Sequence, residues 1–249
     1  MRTPVLHRRI IQDVELMFDA LNEVIPSKMP PRYETRDMNL GSFIKRLNTI
    51  TEAFNILNEI SDDNEIRVGE IVTSGVWLPE DWLPEHGSHA DVRVLWHSAP
   101  SVRRIRMTPK KWQQRRYYFW ERLIHELIHR HQCVFRPEDT LTKTFHVYID
   151  DKKIHDEQQY YSDYDELEAY AYDAALEMVT WWPECNLQDA IHNAMALNGT
   201  VCSTYDQYMS SFERGHVVRK HFRRKLKSWF NTIRQAPDFY VKLALPKLV

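Results

Sequence analysis

The chain has 249 residues, of which 43% are hydrophobic and 27% charged, with a formal net charge of -2 and a mean hydropathy of -0.56. That is enough apolar material for a substantial core, and no stretch reaches the roughly 18 consecutive apolar residues that a membrane-spanning helix needs. The three cysteines, Cys133, Cys185 and Cys202, are an odd and sparse set, which leads us to expect reduced thiols in a cytoplasmic protein, and without a CxxC pair they do not suggest a zinc ribbon.

Residues 1–10 are basic but lack an uninterrupted apolar segment, so no secretory signal is expected. Apolar positions at helical spacing predict a helix over residues 10–24, which Pro26, Pro30 and Pro31 then break. A second helix is expected over 40–60, with Phe43, Ile44, Leu47, Ile50, Phe54 and Leu57 on its buried side. Residues 70–78 read as a strand, and the aromatic, turn-rich run from Trp77 to Pro84 reads as a loop that covers the core or, as the second reading, forms a wall of a substrate cleft. Residues 91–97 alternate apolar with polar and 102–107 form a shorter run, so both are candidate strands.

The next segment carries chemistry. Thr108 is a good N-cap and Pro109 a good first helical residue, and no further Pro or Gly follows before Arg130, which predicts one long helix. Trp112, Phe119, Trp120, Leu123, Ile124, Leu127 and Ile128 give it a broad apolar face, interrupted near its start by Arg115 and Arg116. Within it lies His125-Glu126-Leu127-Ile128-His129, an HExxH sequence. Histidines four apart lie one above the other on a helix and can ligate one zinc ion, while Glu126 is placed to accept a proton from a water on that ion. A match this short arises in roughly 4% of shuffled chains of this composition, so its weight comes from the capped helix around it.

Catalytic zinc usually has three protein ligands and one open position, so a third ligand is expected further on. Residues 144–149 are a candidate strand, and Ser162 or Asp163 can cap a helix running to about Trp182, before Pro183. On that helix Glu166, Tyr170, Asp173 and Glu177 share one face, beside the apolar positions Leu167, Ala171, Ala174 and Met178, by which the helix is expected to pack against the HExxH helix. Glu166 is thus the expected ligand, and Asp173 a partner for a ligand histidine. Glu168 points nearly the opposite way, to solvent or into a salt bridge. Glu168, His155 and His146 remain alternative ligands, and Cys133, four residues after His129, reads as a buried thiol.

HExxH followed by a helical ExxA, here Glu166-Leu167-Glu168-Ala169, resembles the gluzincin class of zinc metallopeptidases over about residues 90–182. In the branch with an ExxAD motif the last residue is Asp, whereas here it is Tyr170. A small chain with Tyr-Tyr-Ser-Asp leading into the ExxA helix is similar to metallopeptidase-like proteins of bacteriophages. The resemblance implies a zinc-dependent peptidase with His125, His129 and Glu166 as ligands and Glu126 as general base, acting on protein or peptide. A donor to the reaction's oxyanion is expected near the ligand helix, with Tyr170 and His155 as first candidates beside Tyr160 and Tyr161. The fold implied is α+β and mostly helical: one domain over 1–249, with a zincin-like core at about 65–182, a small mixed sheet against the HExxH helix, and helical segments at 1–64 and 184–249. Two other readings share the motif. One is a non-hydrolytic zinc-binding component of a viral assembly, and the other a DNA-associated, SprT-like peptidase, whose zinc ribbon this chain lacks.

Helical pattern resumes over 187–197 and 205–212. Charge is unevenly placed: eight residues are acidic between Asp150 and Glu168, while between Arg214 and Arg234 eight are basic and none acidic. With Phe222, Trp229 and Phe230 interleaved, that last segment predicts a basic amphipathic helix, which either neutralises the acidic segment or meets an acidic partner or nucleic acid. No membrane partner is expected.

Overall fold

A computed structural model describes residues 4–57, 66–69, 92–95, 104–134, 156–197 and 201–236. They are mostly helical, and none of the described helices is long and apolar enough to cross a membrane. The chain divides into two compact units: an amino-terminal one, Arg8–Phe135 with Val241–Pro246, and a carboxy-terminal one, Arg136–Tyr240 with Met1–His7 and Lys247–Val249. The stretch expected as a core, about 65–182, is thus shared between both units.

The amino-terminal unit takes most of α1 (Val5–Leu21), then α2 (Arg32–Thr35), β1 (Met38–Asn39), α3 (Leu40–Leu57), β2 (Ile66–Gly69), β3 (Val92–Leu95), β4 (Arg104–Ile105) and α4 (Pro109–Val134). Ile10, Val14, Met17 and Leu21, spaced four, three and four apart, are the buried stripe of α1. The Asn39 side chain accepts from the Ser42 N–H at 3.0 Å, capping α3, and the Thr108 hydroxyl accepts from the Lys111 N–H at 3.2 Å, capping α4. The strands make two separate pairs rather than one mixed sheet: β1 runs antiparallel to β4, and β2 runs parallel to β3 in the register Ile66 to Val92. β2 packs on α3 and β3 on α4. The strand expected at 70–78 and the one at 144–149 lie outside the described residues, as does the 77–84 loop.

All seven apolar positions predicted for the face of α4 are buried, and burying each large side chain contributes about 1.5–3 kcal/mol. Its register is fixed by one polar and one aromatic contact: the Trp112 indole N–H donates to the Pro26 carbonyl at 3.0 Å, and Trp120 meets Phe18 with ring centroids 5.4 Å apart. Arg116, which seemed to interrupt the apolar face, is 0% exposed. Its Nε donates to the Ile25 carbonyl at 3.2 Å and its guanidinium lies 5.6 Å from the Phe18 ring, so the charge is held by a carbonyl and a π face at the proline-rich turn.

The carboxy-terminal unit is built from α5 (Asp156–Ser162), α6 (Tyr164–Trp181), α7 (Leu187–Ala196), α8 (Ser203–Ser211) and α9 (Val217–Gln235). Asp163 caps α6 by accepting from the Asp165 N–H at 2.8 Å, and Asn186 caps α7 by accepting from Asp189 at 3.0 Å. α6 is buried nearly all round, by Leu167, Ala169, Ala171, Tyr172, Ala174, Ala175, Leu176 and Met178. A helix so largely buried must be central, even with Glu166, Tyr170, Asp173 and Glu177 along one side, and its alanines let neighbours approach closely. α9 is its most extensive partner within the unit, with α8, α5 and α7 also against it. α9 contributes Val218, Phe222, Leu226, Trp229, Phe230 and Ile233 to that core. Gly215, at φ +96°, makes the turn into α9, a conformation that side chains other than glycine rarely adopt.

Candidate metal centre

α4 brings the two motif histidines together. His125 and His129 are one helical turn apart, and their Nε2 atoms are 3.2 Å from each other, with ring centroids at 4.9 Å and planes at 76°. Two ligands at about 2.05 Å on one tetrahedral zinc are separated by about 3.3 Å, so the pair has the spacing that shared ligation requires. His125 is 3% exposed and His129 half-buried, both anchored by the buried Leu127 and Ile128.

The ring of His129 is also oriented. Its Nδ1 lies 2.9 Å from the Gln132 side-chain oxygen, which can only accept, so Nδ1 carries the proton and Nε2 keeps a lone pair directed at His125. Gln132 was not singled out in the sequence, although its place three residues after His129 is the spacing at which helix side chains meet. Glu126 belongs to the same turn of α4, and its side chain, like that of Cys133, lies outside the described residues. His131, two residues beyond the motif, points elsewhere, its Nε2 2.8 Å from Asp13 on α1.

The second set of candidates sits in the carboxy-terminal unit, at the start of α6. Glu166 is half-buried and lies against a group of tyrosines from α5, α6 and α8. Tyr160 meets Tyr170 at 6.3 Å, Tyr161 meets Tyr170 at 5.6 Å, and Tyr208 meets Tyr170 at 5.6 Å. Partial burial, then the Glu166 charge and hydrogen bonds to Tyr170 and Glu166, push the Tyr160 phenol well above its ordinary range. Tyr160 therefore stays protonated at neutral pH and serves as a donor to Glu166. Tyr208 is pushed up in the same way by burial and then by Glu166. The candidate oxyanion donor Tyr170 thus lies beside Glu166's tyrosine partner, whereas His155 and His146 lie outside the described residues.

Glu168 does something different. It is 3% exposed, so solvent is excluded as its surroundings, and the expected salt bridge is present. One oxygen lies 3.2 Å from His7 Nε2 and the other accepts from the Lys225 ammonium. His7 is further fixed by Thr232 at 2.8 Å and by stacking on Trp229 at 3.5 Å. Burial alone would raise the Glu168 pKa, but the His7 hydrogen bond and then Lys225 outweigh it and hold the carboxylate below its usual range. Glu168 is thereby committed to the packing of α6, α9 and the chain's first residues. Asp173, expected behind a ligand histidine, is buried in this unit, where its charge raises Glu177 and Tyr208.

His125, His129 and Glu166 each offer one ligand atom, two imidazole nitrogens and a carboxylate oxygen, and this donor set suits zinc. No protein family, curated protein or solved structure matches the chain, so its reading rests on these residues.

Proposed function

We propose that the protein is a zinc-dependent peptidase of gluzincin type, with a zincin-like arrangement in which His125, His129 and Glu166 hold one metal ion. The observation that carries this reading is the His125 and His129 pair, 3.2 Å apart on a buried helix with the His129 tautomer set by Gln132. Glu166, with Tyr160 as its donor, supplies the carboxylate of the set. A zinc ion so held supplies Lewis acidity and brings the pKa of a coordinated water to about 7.

Glu126, in the turn between the two histidines, then accepts a proton and returns it to the leaving amine, a role worth about 10²–10⁴ in rate. β3, packed on α4 and paired among the described residues with β2 alone, is the strand along which an extended peptide substrate makes main-chain hydrogen bonds. Tyr170 or His155 donates to the oxyanion. The test is hydrolysis of an unfolded protein by the zinc-loaded chain and its Glu126→Gln variant. We expect at least about 100-fold loss of activity with zinc still bound. Equal turnover by the two chains would remove Glu126 from the chemistry, and none by either would leave a zinc site without peptidase chemistry.

A further inference from the structure

We propose that the solvent face of α9 binds the phosphate backbone of a nucleic acid through Lys220, Arg223, Arg224 and Lys227. These four side chains are exposed on one helix of 19 residues that carries no acidic residue. Spaced three, one and three apart, they form a strip about 10 Å long at 1.5 Å per residue. Of the described acidic residues, Glu168 takes Lys225, and among the described residues Lys220, Arg223 and Lys227 are in no ion pair.

The strip creates its own positive field. His221, within it, is held below its ordinary pKa by partial burial and then by Arg224, Lys220 and Lys225. Such a field attracts a polyanion. An acidic protein partner would be expected to find apolar or aromatic anchors as well. On α9, however, the large apolar side chains point into the core, and Val217 in the first turn is the one large hydrophobic exposed there. The same burial leaves no apolar face to insert into a lipid surface. Cations without anchors suit phosphates, which are bound by charge alone and without sequence preference.

The test is fluorescence anisotropy with a labelled 20-base-pair DNA duplex of arbitrary sequence, using the full chain. Four phosphate contacts give a log–log salt slope of about -3.6, so affinity should fall on the order of 100-fold between 50 and 200 mM salt. K220Q/R223Q/R224Q/K227Q should abolish binding at 50 mM salt with its circular dichroism unchanged. K110Q/K111Q, which neutralises exposed lysines at the start of α4, should leave affinity within about twofold. No binding of the duplex by the wild type would overturn the proposal. So would equal loss in both variants, or binding of polyglutamate or of phosphatidylserine vesicles as tightly as DNA.

Discussion

Glu166 and Glu168 stand two residues apart on α6 and have opposite fates. Two residues turn a helix by about 200°, so the two carboxylates leave α6 on nearly opposite sides. Glu168 meets His7, Lys225 and Thr232-fixed contacts in a buried network, whereas Glu166 meets neutral phenols. A carboxylate whose lone pairs are already matched by an ammonium and an imidazole is structural. One that is oriented by a neutral donor keeps its charge for a metal.

Four substitutions break or sharpen that contrast. Glu168→Ala should cost the most stability, about 3 kcal/mol in urea unfolding, because His7 and Lys225 lose their shared acceptor in a buried setting. The folded fraction should still bind zinc. A loss under about 1 kcal/mol would remove Glu168 from its structural role. Glu166→Ala should do the reverse. Its zinc affinity, measured by chelator competition, should fall by more than the roughly 100-fold typical of an outer partner, while metal-free stability drops by only about 1 kcal/mol.

Glu177, a third carboxylate of α6, adds a pH test. Burial and then Asp173 push it up to about 7, against hydrogen bonds from Thr204 and Ser203 that pull it down. Between its unfolded value of about 4.3 and 7 the native state binds the more protons, so stability is full below that range and is lost as pH rises through it. Glu168, held low, has the opposite sign and loses its contribution as pH falls below the ordinary carboxyl range. Glu177→Gln should flatten the slope between pH 5 and 7 and gain about 1–2 kcal/mol over wild type at pH 8 in urea unfolding. A slope unchanged by the substitution would assign the titration elsewhere. Tyr160→Phe should have the smallest effect, about 10-fold weaker zinc binding with unchanged stability, since the ring is 47% exposed. Unaltered affinity would mean that the phenol does not orient Glu166.

Local signals were legible in the sequence, and distant partners were not. Thr108 and Pro109 mark the start of α4, Asp163 and Pro183 bracket α6, and the alternation at 91–97 locates β3, because caps, breakers and periodicity act over a few residues. Periodicity also separated Glu166 from Glu168. It had no means of showing that Glu168 would meet His7, 161 positions away, or that His131 would meet Asp13, 118 away. α5 was missed because its short polar run, Asp156–Ser162, lacks an apolar stripe, and α4 continues past Arg130 to Val134.

The most direct test of the central claim is the zinc content per chain of dialysed wild type beside His125→Ala, His129→Ala and Glu166→Ala. The account predicts one zinc in the wild type and a loss of that ion in each variant. Wild type without zinc, or Glu166→Ala retaining a full equivalent at wild-type affinity, would contradict it.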